Sequence, residues 1–417
     1  MNIQKLEDVL SRRLCVGCGA CSFIAGAAKV EMINAPKSGH RPLIKTNLSA
    51  EENQACLAVC PGVESAPPAF SNHDFNSKAM GPYIAVWEGH AVDPETRLKG
   101  SSGGALTALA AYALEFEKMQ GVLHIEQDPT RPLRNRTTYS KSKEELLERT
   151  GSRYAPASLL DQLEVVEKAN GQSVIIGQPS EIVALRKIEN VRPDLSEKVG
   201  IALSFFCAGS PSYEGTESLI RKQGISPQDV TKLKYRGNGW PGLFSVWTRN
   251  SDDPVYQTTY AESWAFVQAF RAWAIHLWPD GSGESADISC GDPWYKDVEK
   301  DAKGSSLIVA RNKKGLEFVK AAAAAGYLEI SEVPPERMVE AQMNLVRKKG
   351  AIWGRLLAMR LFGMPTPDFS GYHLFEMWRG LSLKEKLQSV FGTLKRIIKR
   401  KLYKAETIEF ESTKCER

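Results

Sequence analysis

The chain has 417 residues, 42% of them hydrophobic, which is enough for a sizeable core shared among two or three modules. Its net charge of +5 is local: eight Lys/Arg against one acid lie between Lys384 and Lys404, the last thirteen residues are slightly acidic, and the body is neutral. That distribution excludes a nucleic-acid protein with a basic face, and no stretch reaches the roughly 18–20 apolar residues of a spanning helix.

Taken in chain order, residues 1–80 form the first expected module. It is rich in Gly, Ala, Pro and Asn, has weak periodicity, and holds five of the eight cysteines in two tight groups. No apolar leader precedes the first cysteine, so the chain is expected in the cytoplasm, where clustered thiols point to metal ligation. From residue 83 strand-like and helix-like runs alternate. YIAVWEGHAV is followed by a glycine-rich turn, the helical GALTALAAYALEF and the strand GVLHIEQ. Later come SVIIG, EIVALRKI, GIALSFFC, a helix around YEGTESLIRKQ, then SLIVAR, GLEFVKAAAAAG and YLEISEV. This alternation predicts an α/β core with a mixed or parallel sheet over residues 81–332. Residues 333–417 read as helical, interrupted at GMPTPDFSG and closed by a basic amphipathic helix.

Cys15, Cys18 and Cys21 follow one another at x-x spacing, with Gly17 and Gly19 letting the backbone wrap closely around an inorganic core. A cubane needs a fourth thiolate from elsewhere. Ferredoxins supply it from a distant Cys-Pro, and here Cys60 precedes Pro61. Cys56 stands where the third cysteine of a second ferredoxin motif would be, but Ala50 and Asn53 occupy its first two positions. The expectation is one 4Fe–4S cluster on Cys15, Cys18, Cys21 and Cys60, in a ferredoxin-like module, with structural zinc as the competing reading.

Lys99-Gly100-Ser101-Ser102-Gly103-Gly104 precedes an apolar helix in which Leu106, Leu109, Ala113 and Leu114 can share a face. Small residues leave first-turn N–H groups open at the positive end of the helix dipole, a setting for an anion or a flavin edge. A plain tight turn explains the same residues.

Together, LCVGCGAC, RLKGSSGGALTALAAYALE, FFCAGSPSYEGT, YRGNGWPG and ADISCGDPWYKD resemble the coenzyme F420 hydrogenase/dehydrogenase beta-subunit family, in order and spacing from about residue 10 to residue 365. The resemblance implies a flavin-binding α/β core and FAD beside iron–sulfur clusters. It further implies that Lys99, Ser101, Ser102, Gly103 and Gly104 border the flavin, with Arg236, Gly237, Trp240, Gly242, Asp287, Gly291, Asp292 and Trp294 shaping the same cleft. Many members carry further cysteines that, with the one in FFCAG, serve a second cluster. Here Ser180, Ile275 and Trp278 stand in those places and Cys207 is left alone, so no second cluster is expected.

The resulting expectation is an oxidoreductase. A ferredoxin-like partner exchanges electrons with the cluster, the cluster with FAD, and FAD exchanges hydride with a small-molecule substrate, while Lys99 or Arg236 steadies anionic reduced flavin. The alternative is an iron–sulfur redox sensor or accessory protein, linked to polysaccharide biosynthesis, in which the lost thiols have ended catalysis.

The last helix carries Leu383, Leu387, Val390, Phe391, Leu394, Ile397, Ile398 and Leu402 at three- and four-residue spacing, with Lys395, Arg396, Lys399, Arg400, Lys401 and Lys404 crowding its end. Packing on the body is one expectation. Peripheral contact with the inner face of a membrane is the other, each basic group there being worth on the order of 1 kcal/mol.

Overall fold

β-branched runs bounded by turn residues dictate strands, and they form them here. In a computed structural model describing residues 3–69, 74–297 and 302–411, the N-terminal part holds an antiparallel hairpin, β1 (Val30–Ala35) and β2 (Gly39–Ile44). The core contributes β3 (Ala85–Ala91), β4 (Val122–Gln127), β5 (Asn135–Ser140), β6 (Ser173–Gly177) and β7 (Val199–Phe205). It continues with β8 (Val230–Lys234), β9 (Leu243–Thr248), β10 (Tyr256–Thr259), β11 (Ile288–Gly291), β12 (Ser306–Ala310) and β13 (Leu328–Glu332).

Eight of these strands make one mixed sheet in the order β13-β3-β12-β11-β7-β6-β4-β5, and β10-β9-β8 make a small second one. The pairs β11–β7, β7–β6 and β6–β4 are parallel, and the remaining neighbours in the large sheet are antiparallel. The mixed α/β sheet is therefore as expected. All six strand-like runs of the core are strands. The sequence reading missed the β1–β2 hairpin, the polar edge strand β5, the small sheet, and β11, whose four residues are too few to show a period.

The helices that matter below are α1 (Ala20–Ala25), α2 (Ala50–Ala58), α3 (Pro94–Lys99), α4 (Ala105–Glu115) and α5 (Pro179–Val191). Toward the C-terminus lie α6 (Tyr260–Val267), α7 (Lys313–Ala324), α8 (Met343–Leu361), α9 (Leu374–Arg379) and α10 (Leu383–Lys399). Helix α4 is buried nearly all round rather than on one face: Ala105, Ala108 and the whole run Leu109–Leu114 are inside, against sheet residues Val122, Ile201 and Ile308 and against Phe318 and Val319 of α7. Its alanines permit that close approach.

Residues 1–80 and 333–411 share one apolar cluster rather than having separate cores. Leu14, Cys15 and Cys60 sit with Trp278 of the α/β core and with Ile352, Tyr372, Ile397 and Leu402. Backbone and side-chain bonds close the seam: Arg13 donates to the carbonyls of Leu402 and Lys404 at 3.0 and 2.7 Å, and Glu406 N–H donates to Ser11 at 2.8 Å.

The topology sets where chemistry can occur. Loops leaving the carboxyl ends of β3, β11, β7 and β6 emerge along one edge of the sheet, the edge where open α/β sheets bind ligands. These loops carry, in order across the edge, the glycine-rich turn, Asp292, Cys207 and Gln178.

Candidate functional site

At the β6 side of that edge, the cysteine loop docks on the core. Gly17 and Gly19 have φ of +84° and +89°, conformations that glycine tolerates best. A side chain at Gly19 would strike the Asp161 backbone at 2.6 Å, and the Cys18 carbonyl accepts a 3.0 Å bond from Leu160 N–H. On the other flank Gly62 lies against the Leu14 carbonyl, where a Cβ would stand 2.3 Å away, so the Cys60-Pro61-Gly62 turn is pressed onto the start of the first motif.

The four thiols act on one another. Burial raises Cys18 and Cys21 well above the ordinary thiol value, and the charges of the neighbouring cysteines, Cys60 and Cys15 among them, push the same way. Burial, with Cys15 next, pushes Cys60 up to about 12 against N–H bonds from Gly62 and Val63. These mutual effects place Cys18, Cys21 and Cys60 near Cys15 in one partly buried group. Among the described residues no three Cys, His, Asp or Glu side chains converge as they would around one ion. Cys56 lies beside this group: it is fully buried, its thiol donates to the Cys21 carbonyl at 3.7 Å, and its charge acts on Cys21.

At the β11 side, four of the expected residues meet. Asp292 accepts from Ser102 Oγ (2.6 Å), Trp240 Nε1 (2.8 Å) and both Arg236 Nη atoms (3.0 and 2.7 Å). Arg236 also donates Nε to the Pro241 carbonyl at 3.0 Å. Burial opposes its charge, but the Asp292 carboxylate outweighs burial, so the guanidinium is held above its ordinary value and the carboxylate below its own. The Arg236 guanidinium lies 4.8 Å from the Tyr260 ring and 5.6 Å from Trp294, and those two rings stack at 5.5 Å. Helix α4 starts at Ala105 with no side-chain cap, so its positive end lies, buried, beside this group.

Other expected residues are placed differently. Lys99 bonds Glu95 at 2.6 Å on a half-exposed face of α3, so its ammonium faces outward. The charge of Arg236 is already engaged by Asp292. Neither therefore offers the free cation expected for a reduced flavin. Ser101 accepts a bond from Ser152 N–H at 2.9 Å. Gly103, Gly104 and Gly237 are explained by the chain's own packing: a Cβ would stand 2.8 Å from Ser305 Cα, 2.4 Å from the Thr96 carbonyl and 3.2 Å from the Lys99 carbonyl. Asp287 precedes β11 whereas Asp292 follows it, so the two lie at opposite ends of the strand, roughly 15 Å apart. Asp287 is a buried structural acceptor for Arg186, Asn312 and the Ala202 N–H, at 2.8–2.9 Å.

Asp287 instead walls a cleft of about 840 Å³ with Arg186, Lys187, Arg311, Glu64 and Ser65. Lys187 donates to the Glu64 carbonyl at 2.7 Å and its charge reaches Cys60.

Between the two groups lie the positions where a second set of thiols was expected to be missing. Cys207 Sγ donates to Gln178 Oε1 at 3.6 Å and accepts from Gly209 N–H at 3.2 Å. Ile275 packs so tightly on Gly209 that a Cβ there would stand 1.9 Å away. Sequence reasoning missed Tyr154 and Tyr260, which face Arg236, and Glu181, buried beneath Cys18 and pushed by burial to about 7. A carboxylate in the otherwise apolar EIVAL run was the available signal for the last.

Two family profiles of the coenzyme F420 hydrogenase/dehydrogenase beta subunit match the chain, the one for its N-terminal part over residues 86–164 and the one for its C-terminal part over residues 171–336. The coenzyme F420 hydrogenase subunit beta of Methanococcus voltae is 26% identical over 295 residues, 69% of this chain and 99% of that protein. The coenzyme F420-dependent sulfite reductase of Methanocaldococcus jannaschii is 23% identical over 360 residues, 83% of this chain but only 51% of the relative. A chain of the F420-reducing NiFe hydrogenase complex from Methanosarcina barkeri has the same fold, with a TM-score of 0.56 at 21% identity, covering 72% of this chain and all of that one.

Proposed function

The chain belongs to the coenzyme F420 hydrogenase/dehydrogenase beta-subunit family, and from that premise we propose that it is a cytoplasmic iron–sulfur flavoprotein oxidoreductase. In this reading residues 1–80 carry a single 4Fe–4S cluster on Cys15, Cys18, Cys21 and Cys60, residues 81–332 bind FAD, and Ile352, Tyr372, Ile397 and Leu402 of the C-terminal helical region cover the cysteine loops. The observation that supports it best is the grouping of four thiols, Cys18 buried and the others half-buried, on the same sheet edge as the Ser102–Arg236–Trp240–Asp292 assembly. When bound, the cluster supplies one-electron transfer and the flavin joins it to two-electron hydride chemistry. The chain's own residues hold and shape these sites. Asp292 fixes the turn at Ser102 relative to Trp240, and the start of α4, which has no side-chain cap, adds partial positive charge to that side of the site. A ferredoxin-like protein is the proposed electron partner, and a small molecule the substrate.

The visible spectrum of anaerobically purified protein tests this. Flavin bands over a broad iron–sulfur shoulder are expected. A shoulder without flavin favours the accessory or sensor role, and a colourless protein holding zinc overturns the reading. Iron analysis assigns the ligands: Cys60→Ser loses iron and Cys56→Ser keeps it, and equal loss from both would refute the ligand set.

A further inference from the structure

Helix α10 packs on the body with the wrong face for an ordinary amphipathic helix. The residues it buries are Ser389, Thr393 and Ile397, with Leu394 half-buried. Small groups are needed there: a Cβ at Gly354 of α8 would stand 2.1 Å from Ser389 Oγ, which also accepts from Trp378 Nε1 at 3.0 Å. The large apolar residues point the other way. Leu383 is 73% exposed, Leu387 47%, Phe391 62% and Ile398 59%.

At 3.6 residues per turn these four form one stripe along the outward side, about 22 Å long. Lys384, Lys395 and Lys399 fall beside it on one flank, within about 80° of Phe391, while the other flank meets the body. Exposed apolar surface continues past the helix end, where the rings of Phe362 and Tyr403 stack at 6.3 Å beside Leu361, itself 66% exposed. Arg400, Lys401 and Lys404 surround that end and are exposed.

We propose that this face of α10 docks the protein on an anionic membrane surface, the apolar stripe entering the interface and the lysines meeting acidic headgroups. The combination of exposed Leu and Phe with a cationic flank is what interfacial helices use, and the charge excess of the whole chain lies here. No helix among the described residues is long and apolar enough to cross a membrane, so contact is lateral. A second copy is a poorer occupant, because a two-fold interface on this stripe would set the same cations against themselves. This proposal stands apart from the redox reading.

The test is co-sedimentation of the full chain with vesicles of phosphatidylcholine alone and with added phosphatidylglycerol. Binding to the anionic vesicles at low salt, weakening as salt rises, is the expected result. Phe391→Asp, exposed and so expected to leave the melting curve unchanged, weakens binding at least about tenfold, the share a buried phenylalanine supplies. The Lys384→Gln, Lys395→Gln, Lys399→Gln triple variant loses the preference for anionic lipid. Absence of binding at low salt, or equal binding by Phe391→Asp and the parent, overturns the proposal. So does a dimer in sedimentation velocity that Phe391→Asp dissociates without any vesicle binding, which would make the stripe a contact between copies.

Discussion

Asp292 shows how much a single side chain can organise. It is the shared acceptor for residues from the loop after β3 and the β8–β9 connection, and its buried partner Arg236 depends on it for neutrality. Removing one member of a buried ion pair strands the other charge, so Asp292→Ala is expected to cost about 3–5 kcal/mol in urea unfolding, far more than an exposed pair is worth. An unchanged unfolding midpoint would mean that Arg236 is rescued by water or Tyr154. The motif around Asp292 was visible in the sequence, but its partners were not. Pairing of Ser102, Arg236 and Trp240 depends on strand order, which no local pattern records. For the same reason Asp287 and Asp292, five residues apart in one motif, were read as one site although a strand separates them. The grouping of Cys15, Cys18 and Cys21 was legible because the three lie on one short stretch of chain, whereas the approach of Cys60 depends on the fold.

Among elements, the contrast between α4 and α10 is instructive. Both read as apolar helices with a preferred face, yet α4 is covered on all sides and α10 leaves its larger residues outside. Periodicity reports that a stripe exists and is silent about what covers it. The list of eight apolar residues in the last helix thus divides into an inward set, Val390, Leu394, Ile397 and Leu402, and an outward set, Leu383, Leu387, Phe391 and Ile398. The close α8–α10 contact through Gly354 and Ser389 decides that division. Gly354→Val should therefore overpack the seam, destabilising the fold by about 1–3 kcal/mol and making α10 the first segment cut in limited proteolysis. Cleavage unchanged from the parent would show that the two helices separate without cost.

For the molecule as a whole, buried histidines tie stability to pH. Burial, reinforced by Arg149, lowers His124 to about 4, and its Nε2 lies 2.7 Å from Ser140 Oγ. Its folded value is below the unfolded one of about 6.5. Its stability contribution is therefore present above pH 6.5 and lost as pH falls toward 4. Glu181 and Glu284, raised by burial to about 7, have the opposite sign and lose their contribution as pH rises through 7. A difference between parent and variant isolates the imidazole: His124→Gln should flatten the fall in unfolding free energy on acidification, by up to a few kcal/mol, and parallel curves would exclude it. The shared apolar cluster has a further consequence for synthesis. The cysteine loops are made first, and Ile352, Tyr372, Ile397 and Leu402, which cover them, are made last. At 5–20 residues per second the nascent thiols wait on the order of tens of seconds before their roof arrives. Loading of the proposed cluster thus has an interval built into translation, and the later helices act as its closing step. A chain stopped at Gly380 should take up iron and sulfide as readily as the full chain but surrender them faster to a chelator, and equal rates of loss would show that the roof retains nothing.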